Sequence, residues 1–328
     1  MKELKGLIKQ DFKSRSVERL GCIKGGLDFL ETEISFPWLY GGTGHAFIIS
    51  IDPGVDVSSP DSWDHQPQYD LGKNLGYTID GFSIRKNKAG DSFQQKQQEA
   101  WDFVRTNIDN GIPCFGFELK KFFGGYWLIY GYDDIGYYYS GYAGYIVGGP
   151  LPWQELGTQF IPLLEVHSIK LCSPQPKVKI IKDGLTYAIK HATNPPKWIN
   201  MEAKAGPEAW AYWAEALENG EAKRDHHTYN LMFWLECREM AVEFLKEIKT
   251  CLSESFHSVI DETVKKYLDV CDKLKKLIEL HPEREKPTWG PDSTFTSPKA
   301  GKIVRQIADI ESDALVNLKK IVDQFEVK

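Results

Sequence analysis

The pattern of apolar and polar positions changes character near residue 180. Before it, short apolar runs rich in Gly, Tyr, Phe and β-branched residues alternate with turn residues. After it, apolar residues recur at the three- and four-residue spacing of amphipathic helices. The proline-containing segment Cys172-Ser173-Pro174-Gln175-Pro176 is typical of a rigid connector. We therefore predict two domains, residues 1–176 and residues 177–328.

The first domain is predicted to be α+β, with an antiparallel sheet. Residues 22–30 begin a helix that carries Cys22, and residues 92–110 form a second helix. Apolar runs bounded by turn residues predict strands at residues 45–51, 115–119, 126–132, 137–140 and 163–171.

The second domain is predicted to be an all-α helical bundle. Helical spacing of apolar residues covers residues 184–191, 207–219, 227–252, 255–280 and 300–325. Residues 281–298 contain four prolines and are predicted to be a loop. Short connections between the other helices favour antiparallel neighbours.

Composition narrows the classes of function. The chain has 328 residues, 42% of them hydrophobic, which is ordinary for a globular protein. The net charge of −6 argues against a general nucleic-acid-binding protein, which needs a basic surface. No apolar run is long enough to span a membrane, and the N-terminus has no apolar signal core. We predict a cytoplasmic protein that binds neither nucleic acid nor membranes.

The six cysteines are scattered without the CxxC spacing of metal sites. In a cytoplasmic protein we expect them to be reduced and mostly buried. The sequence also contains no HxH motif, no HExxH motif and no Cys/His cluster. We therefore predict no metal site and no cofactor.

Cys22 is the candidate nucleophile. A thiol at the start of a helix is stabilised as a thiolate by the helix dipole, and a neighbouring histidine can activate it. His45 is the best candidate base, because it follows the glycine-rich turn Gly41-Gly42-Thr43-Gly44. The alternatives are a buried core cysteine and a hydrogen-bonded histidine at a strand start. His167 lies in a strand pattern and is expected to have no catalytic role.

Three segments carry a resemblance to a known family. They are Gly21-Cys22 with its apolar helix, the run from Tyr40 to Phe47, and Gly111-Ile112-Pro113 followed by the run from Trp127 to Asp133. Over residues 15–172 the chain resembles the N-terminal domains of butirosin biosynthesis protein H. More distantly it is similar to papain-like bacteriocin-processing peptidases. The resemblance implies a papain-like fold, and the helical part resembles the variable region that often follows such domains.

The departures from the peptidase pattern concern the catalytic residues. Tyr126 stands where the resemblance places the catalytic histidine, and Tyr139-Ser140-Gly141 stands where an Asp-Pro pair is expected. Residues 14–18 lack the glutamine of the oxyanion hole. A phenol with a pKa of about 10 is a poor general base at neutral pH. Proteolysis is therefore not expected.

Two hypotheses of function follow. In the first, a degenerate papain-like domain binds a small molecule or a peptide in an aromatic cleft lined by Tyr126, Trp127, Tyr130, Tyr132 and Asp133. Against this, the tyrosine run fits equally well as a sheet face that packs against a helix, and Asp133 as a residue that caps a turn.

In the second, the resemblance implies a cysteine-dependent acyl or aminoacyl transferase, or an amidohydrolase, of secondary metabolism. Cys22 is then the nucleophile, His45 the base, and the backbone amides of residues 21–23 the oxyanion donors. An acyl carrier protein is the partner that this second hypothesis implies. Either hypothesis leaves a homodimer open.

Overall fold

The computed structural model describes residues 1–7, 16–120, 124–141, 146–193, 202–281 and 294–325. Its helices are α1 (Glu18–Phe29), α2 (Phe36–Gly42), α3 (Gln66–Leu75), α4 (Lys86–Ala89), α5 (Phe93–Asp109), α6 (Lys177–Thr193), α7 (Gly206–Asn219), α8 (Arg224–Lys249), α9 (His257–Leu280) and α10 (Pro298–Gln324). Its strands are β1 (Lys2–Glu3), β2 (Ser50–Ile51), β3 (Tyr77–Arg85), β4 (Cys114–Phe117), β5 (Tyr126–Tyr132), β6 (Gly136–Gly141), β7 (Ile146–Pro152), β8 (Leu163–Leu171) and β9 (Lys204–Ala205). The described chain is therefore a mixed α and β protein.

The chain divides into two compact units. The sheet unit comprises Met1–Ser35 and Gly76–Pro174, and the helical unit comprises Phe36–Leu75 and Gln175–Lys328. This differs from the predicted division at residues 176 and 177, which placed residues 36–75 in the first domain. These residues belong to the helical unit because of bonds between distant positions, such as the one that Tyr40 donates to Glu236. A local sequence pattern cannot show such bonds.

The sheet unit is built on one antiparallel sheet in the order β3-β8-β4-β5-β6-β7, with β1 beside β5. Strands β5, β6 and β8 and helix α5 lie where the sequence predicts them. Strands β3 and β7 were not predicted. The first is half exposed and interrupted by Asp80-Gly81, and the second contains Gly148-Gly149-Pro150, so neither has a clear apolar alternation.

Helices cover both faces of this sheet. On one face, Gly26 of α1 approaches β8 so closely that a Cβ atom there would lie 2.3 Å from Ile169 Cδ1. On the other face, Phe103 of α5 packs on Phe82 of β3 with ring centroids 6.3 Å apart. The helix that carries Cys22 therefore lies directly on the sheet.

The helical unit contains α2, α3 and α6 to α10, and the last five overlap the predicted helices. Helix α6 begins at Lys177, seven residues before the prediction. Of the predicted loop at residues 281–298, residues 282–293 lie outside the described part. The predicted strand at residues 45–51 is mostly wrong. His45–Phe47 forms a 3₁₀ turn, and only Ser50–Ile51 pairs, with β9.

All six cysteines are free, and four of them are buried, in agreement with the expectation of reduced, mostly buried thiols. Cys172 and Cys251 are exposed. Within the described residues, no helix combines the length and the apolar character needed to cross a membrane.

Candidate functional site

Cys22 lies inside helix α1 and not at its start. The helix begins at Glu18, so Cys22 belongs to its second turn, and its side chain is fully buried. The amide of Gly21 already donates to the carbonyl oxygen of Val17 at 3.0 Å. Because the dipole effect is concentrated in the first turn, Cys22 lies beyond its strongest part, and Gly21 has no spare oxyanion donor.

The environment of Cys22 favours the neutral thiol. Burial raises the pKa of the Cys22 thiol well above its ordinary value, and the carboxylate of Glu18 raises it further. Both effects penalise the thiolate, which is the nucleophilic form. At neutral pH Cys22 is therefore protonated.

His45 belongs to the helical unit, whereas Cys22 belongs to the sheet unit. The imidazole of His45 is fully buried and lies against the rings of Tyr40, Trp63 and Phe233, with centroids 5.6, 5.6 and 5.9 Å away. Neither unit by itself contains both residues, so the catalytic pairing of Cys22 with His45 stays a prediction.

Tyr126 is part of a hydrogen-bonded network around the buried carboxylate of Glu165. Its hydroxyl donates to Glu165 Oε1 at 3.2 Å, and His167 Nε2 lies 2.8 Å from the same oxygen. The hydroxyl of Ser83 donates to Glu165 Oε2 at 3.4 Å. The backbone amide of Tyr126 donates to Glu18 at 3.1 Å, which ties the start of β5 to α1. We call Ser83, Tyr126, Glu165 and His167 the Glu165 network.

Glu165 was not predicted as a site residue from the sequence. The signal was present, because Glu165 and His167 are two positions apart in a strand and therefore point to the same face. The antiparallel register then places Ser83 opposite Glu165 on β3. The local sequence pattern does not show which strands are neighbours. The contact of Tyr126 with Glu165 could therefore not be predicted.

The other residues of the predicted aromatic cleft do not converge on Tyr126. Successive residues of a strand point to opposite faces, so Trp127 points away from Tyr126 and packs on Tyr139. Tyr130 lies beside Tyr138. The hydroxyl of Tyr132 donates to Asp109 Oδ1 of α5 at 2.8 Å. These contacts match the alternative interpretation of the tyrosine run as packed sheet faces.

Asp133 caps the turn between β5 and β6. Its carboxylate accepts bonds from the amides of Ile135 and Gly136 and from the hydroxyl of Tyr138. The bond from Tyr138 and then that from Ile135 hold the pKa of Asp133 below its usual value. Asp133 is therefore occupied by local bonds.

The helical unit contains a second group of buried polar and aromatic side chains, arranged around His45. Trp63 connects the three histidines of this group, because its ring contacts those of His45, His65 and His191 with centroids 5.6, 4.6 and 5.8 Å away. The Tyr40 hydroxyl donates to Glu236, and His191 contacts Tyr187. All members except His65 are buried. We define the His45 cluster as Tyr40, His45, Trp63, His65, Tyr187, His191, Phe233 and Glu236.

The segment that carries His45 is held in place by a buried arginine. Arg238 Nη1 donates to the carbonyl oxygens of Ala46 at 3.0 Å and Ile48 at 2.9 Å, and its guanidinium is paired with Glu311. The turn also depends on Gly44, which has φ 73° and whose Cβ would meet the carbonyl oxygen of Gly184 at 2.7 Å. A glycine at position 44 is therefore required by close packing against α6.

His191 has an unusual environment within the cluster. It is fully buried, and neither ring nitrogen has a hydrogen-bond partner among the described residues. Burial lowers the pKa of His191 to about 4, so the ring is neutral at neutral pH. A buried polar group without a partner costs about 1–3 kcal/mol and requires an explanation, for which a bound water or ligand is a common one.

In the part of the chain that the structure describes, no set of three or more His, Cys, Asp or Glu side chains is arranged to hold a metal ion. The comparisons with known proteins add no family: no protein-family model matches the chain, and neither does any curated protein. The function must therefore be argued from the side chains themselves.

Proposed function

We propose that this protein binds a small molecule and does not act as a cysteine hydrolase or acyltransferase. The sheet unit is then a degenerate papain-like domain that keeps a helix-on-sheet arrangement and has lost the chemistry. The observation that carries the proposal is His191, a fully buried histidine whose two nitrogens lack partners among the described residues of the helical unit. The His45 cluster is the binding site.

The absence of catalysis is supported by the state of the two residues that catalysis would need. Cys22 is buried, and its pKa is raised, so little thiolate exists at neutral pH. Tyr126, at the position of the expected base, donates its hydroxyl to Glu165. The Tyr126 hydroxyl is therefore engaged in the Glu165 network and is not placed to act as a general base.

The binding role is supported by the mixture of groups around His45. Small-molecule sites are lined mainly by aromatic and apolar side chains, with a few polar groups that fix orientation. The His45 cluster has that composition, whereas the residues of the predicted cleft are divided between faces of the sheet unit. A small molecule is favoured over a peptide because seven of the eight cluster members are buried.

The transferase hypothesis requires an activated Cys22, whereas burial and the nearby carboxylate of Glu18 both raise the pKa of its thiol. Its implied acyl carrier partner and its role in secondary metabolism are therefore not proposed. A homodimer and a cytoplasmic location remain predictions from the sequence.

Ligand-detected NMR on the full chain tests the proposal. A panel of cationic, anionic and neutral aromatic or aliphatic fragments is screened by saturation transfer against the wild type and His191→Phe. The phenyl ring fills similar space without either nitrogen. Tyr132→Phe in the sheet unit is the matched control. We expect at least one class of fragment to bind, to weaken in His191→Phe, and to be unaffected in Tyr132→Phe.

Two results would contradict the proposal. The first is that no class of fragment gives a signal. The second is that binding is lost in Tyr132→Phe and retained in His191→Phe, which would return the site to the tyrosines of the sheet unit.

A further inference from the structure

The first turn of α8 contains a buried hydrogen-bond donor that has no acceptor. Trp213 Nε1 donates to His227 Nδ1 at 2.9 Å, and an indole nitrogen can only donate. Burial lowers the pKa of His227 to about 3, so the ring is neutral at neutral pH and its one proton is on Nε2. The side chain is fully buried, and Nε2 has no hydrogen-bond partner among the described residues. This nitrogen therefore needs an acceptor, and while it carries its proton it cannot ligate a metal.

The groups around His227 are aromatic and cationic. Its ring lies against those of His281 and Phe295, with centroids 5.3 and 5.4 Å away, and these two rings are 5.1 Å apart. The guanidinium carbon of Arg224 lies 4.3 Å from the centroid of Phe295. His281 Nε2 lies 3.2 Å from Ser297 Oγ. We call these five residues the Arg224 group.

The Arg224 group has a positive charge without a counter-charge. Among the residues that the structure describes, no carboxylate pairs with the Arg224 guanidinium. Asp56 lies at the same end of α8, but it pairs with Lys223 at 3.1 Å and with His226 at 3.3 Å. Burial and then the charge of Arg224 lower the pKa of His281, so this ring, like that of His227, is neutral at neutral pH. The group therefore has one net positive charge.

The start of α8 adds to this positive potential. Arg224 is the first residue of this 26-residue helix, and within the described part of the chain no side chain caps its N-terminus. The amides of a first helical turn have a partial positive charge that favours anions. Arg224, His281 and Phe295 are only half-buried, so a small solute can reach the group from the surface.

We propose that the Arg224 group binds the carboxylate of a small molecule, with the guanidinium as counter-charge and His227 Nε2–H as a second donor. The inference goes beyond the binding proposed for the His45 cluster, with which the group shares no residue. A guanidinium matches a carboxylate through two parallel hydrogen bonds. One carboxylate balances the single positive charge, whereas a phosphate dianion would retain an excess negative charge.

NMR of the full chain labelled with ¹⁵N-histidine tests this inference, because the Nε2–H resonance of His227 reports its own acceptor. The resonance is identified by its loss in His227→Phe. Sodium acetate replaces sodium chloride at constant ionic strength, and inorganic phosphate is titrated in the same way. We expect a saturable shift of this resonance with acetate and weaker binding of phosphate.

Two arginine variants separate specific binding from general attraction of anions. Arg224→Gln should weaken acetate binding at least about tenfold, because it removes a charged hydrogen-bonding partner. Arg105→Gln is the matched control, since this exposed guanidinium also lies on a ring, that of Trp101, but is paired with Asp102 at 3.7 Å. It should leave the titration unchanged.

Three results would overturn the proposal. The first is a shift with acetate that is absent or does not saturate, and the second is an equal loss of binding in the two arginine variants. The third is tighter binding of phosphate than of acetate, which would contradict the ligand class. The titration of the wild type decides the proposal by itself if Arg224→Gln fails to fold.

Discussion

The Glu165 network and the His45 cluster differ in how their hydrogen bonds are satisfied. In the sheet unit, the carboxylate of Glu165 receives bonds from Ser83 and Tyr126 and is contacted by His167 at 2.8 Å. In the helical unit, His191 has no partner for either nitrogen within the described residues.

A satisfied network stabilises a fold and specifies a unique packing, whereas an unsatisfied buried group costs free energy that a bound water or ligand would recover. The comparison therefore supports a structural role for the Glu165 network and is consistent with the proposed ligand binding at the His45 cluster. Each of the following variants changes either the Glu165 network or the His45 cluster and the residues that support it.

The largest expected loss of stability follows from removing Arg238, which holds the segment that carries His45. Arg238→Ala leaves Glu311 as an uncompensated buried charge and frees two carbonyl oxygens, so the helical unit should lose about 3–5 kcal/mol of stability. Peptide-level hydrogen exchange across residues 36–75 measures the loss. Arg305→Ala is the control, because its exposed bridge to Glu218 contributes less than about 1 kcal/mol. Equal protection in the two variants would contradict the role given to Arg238.

A smaller loss of stability is expected when the pH is lowered. The folded pKa of His191 is about 4, against about 6.5 unfolded, so the unfolded state binds more protons between these values. Stability is then full above pH about 6.5 and falls as the pH drops toward about 4, by about 3 kcal/mol for this residue. Urea unfolding at several pH values measures the slope.

The matched variant is His191→Phe. This variant should lack the loss of stability that protonation of His191 causes at low pH. It should retain the loss due to His227, because burial lowers the pKa of that residue as well, to about 3. At neutral pH its stability should equal or exceed that of the wild type, because an unsatisfied polar group has been removed. An unchanged acid slope in His191→Phe would show that the imidazole is not buried.

The smallest effect is expected in the Glu165 network. Tyr126→Phe removes one hydrogen bond to Glu165 and should cost about 1 kcal/mol in the sheet unit, with no change in fragment binding. Tyr132→Phe, whose hydroxyl bonds the exposed Asp109, should cost less. Urea unfolding gives both values. A loss of fragment binding in Tyr126→Phe would move the functional site into the sheet unit.

The sequence was most informative where local periodicity decides structure. Helices α5 and α7 to α10 and strands β5, β6 and β8 follow from apolar spacing, and each lies close to its predicted position. The prediction failed where distant residues decide. Arg238 satisfies the carbonyl oxygens of Ala46 and Ile48, so residues 45–49 form no strand despite their apolar run.

The candidate site was predictable only in part. His45 was selected from its glycine-rich turn, and it does lie in a polar and aromatic cluster. His191 and Glu236 lie on helices about 145 and 190 residues further along the chain, where their spacing matches that of ordinary amphipathic helices. Only the packing of α2, α6 and α8 in the helical unit brings them to His45.

Alkylation of Cys22 tests the central claim, that the protein does not act through an activated Cys22 thiolate, most directly. The native full chain is treated with iodoacetamide across a pH series and read by peptide mass spectrometry, with the exposed Cys172 and Cys251 as internal references. We predict that both references label in the native state and that Cys22 labels only when the chain unfolds. Labelling of native Cys22 at neutral pH as fast as the references, and slower in His45→Ala, would contradict the account and establish an activated thiolate.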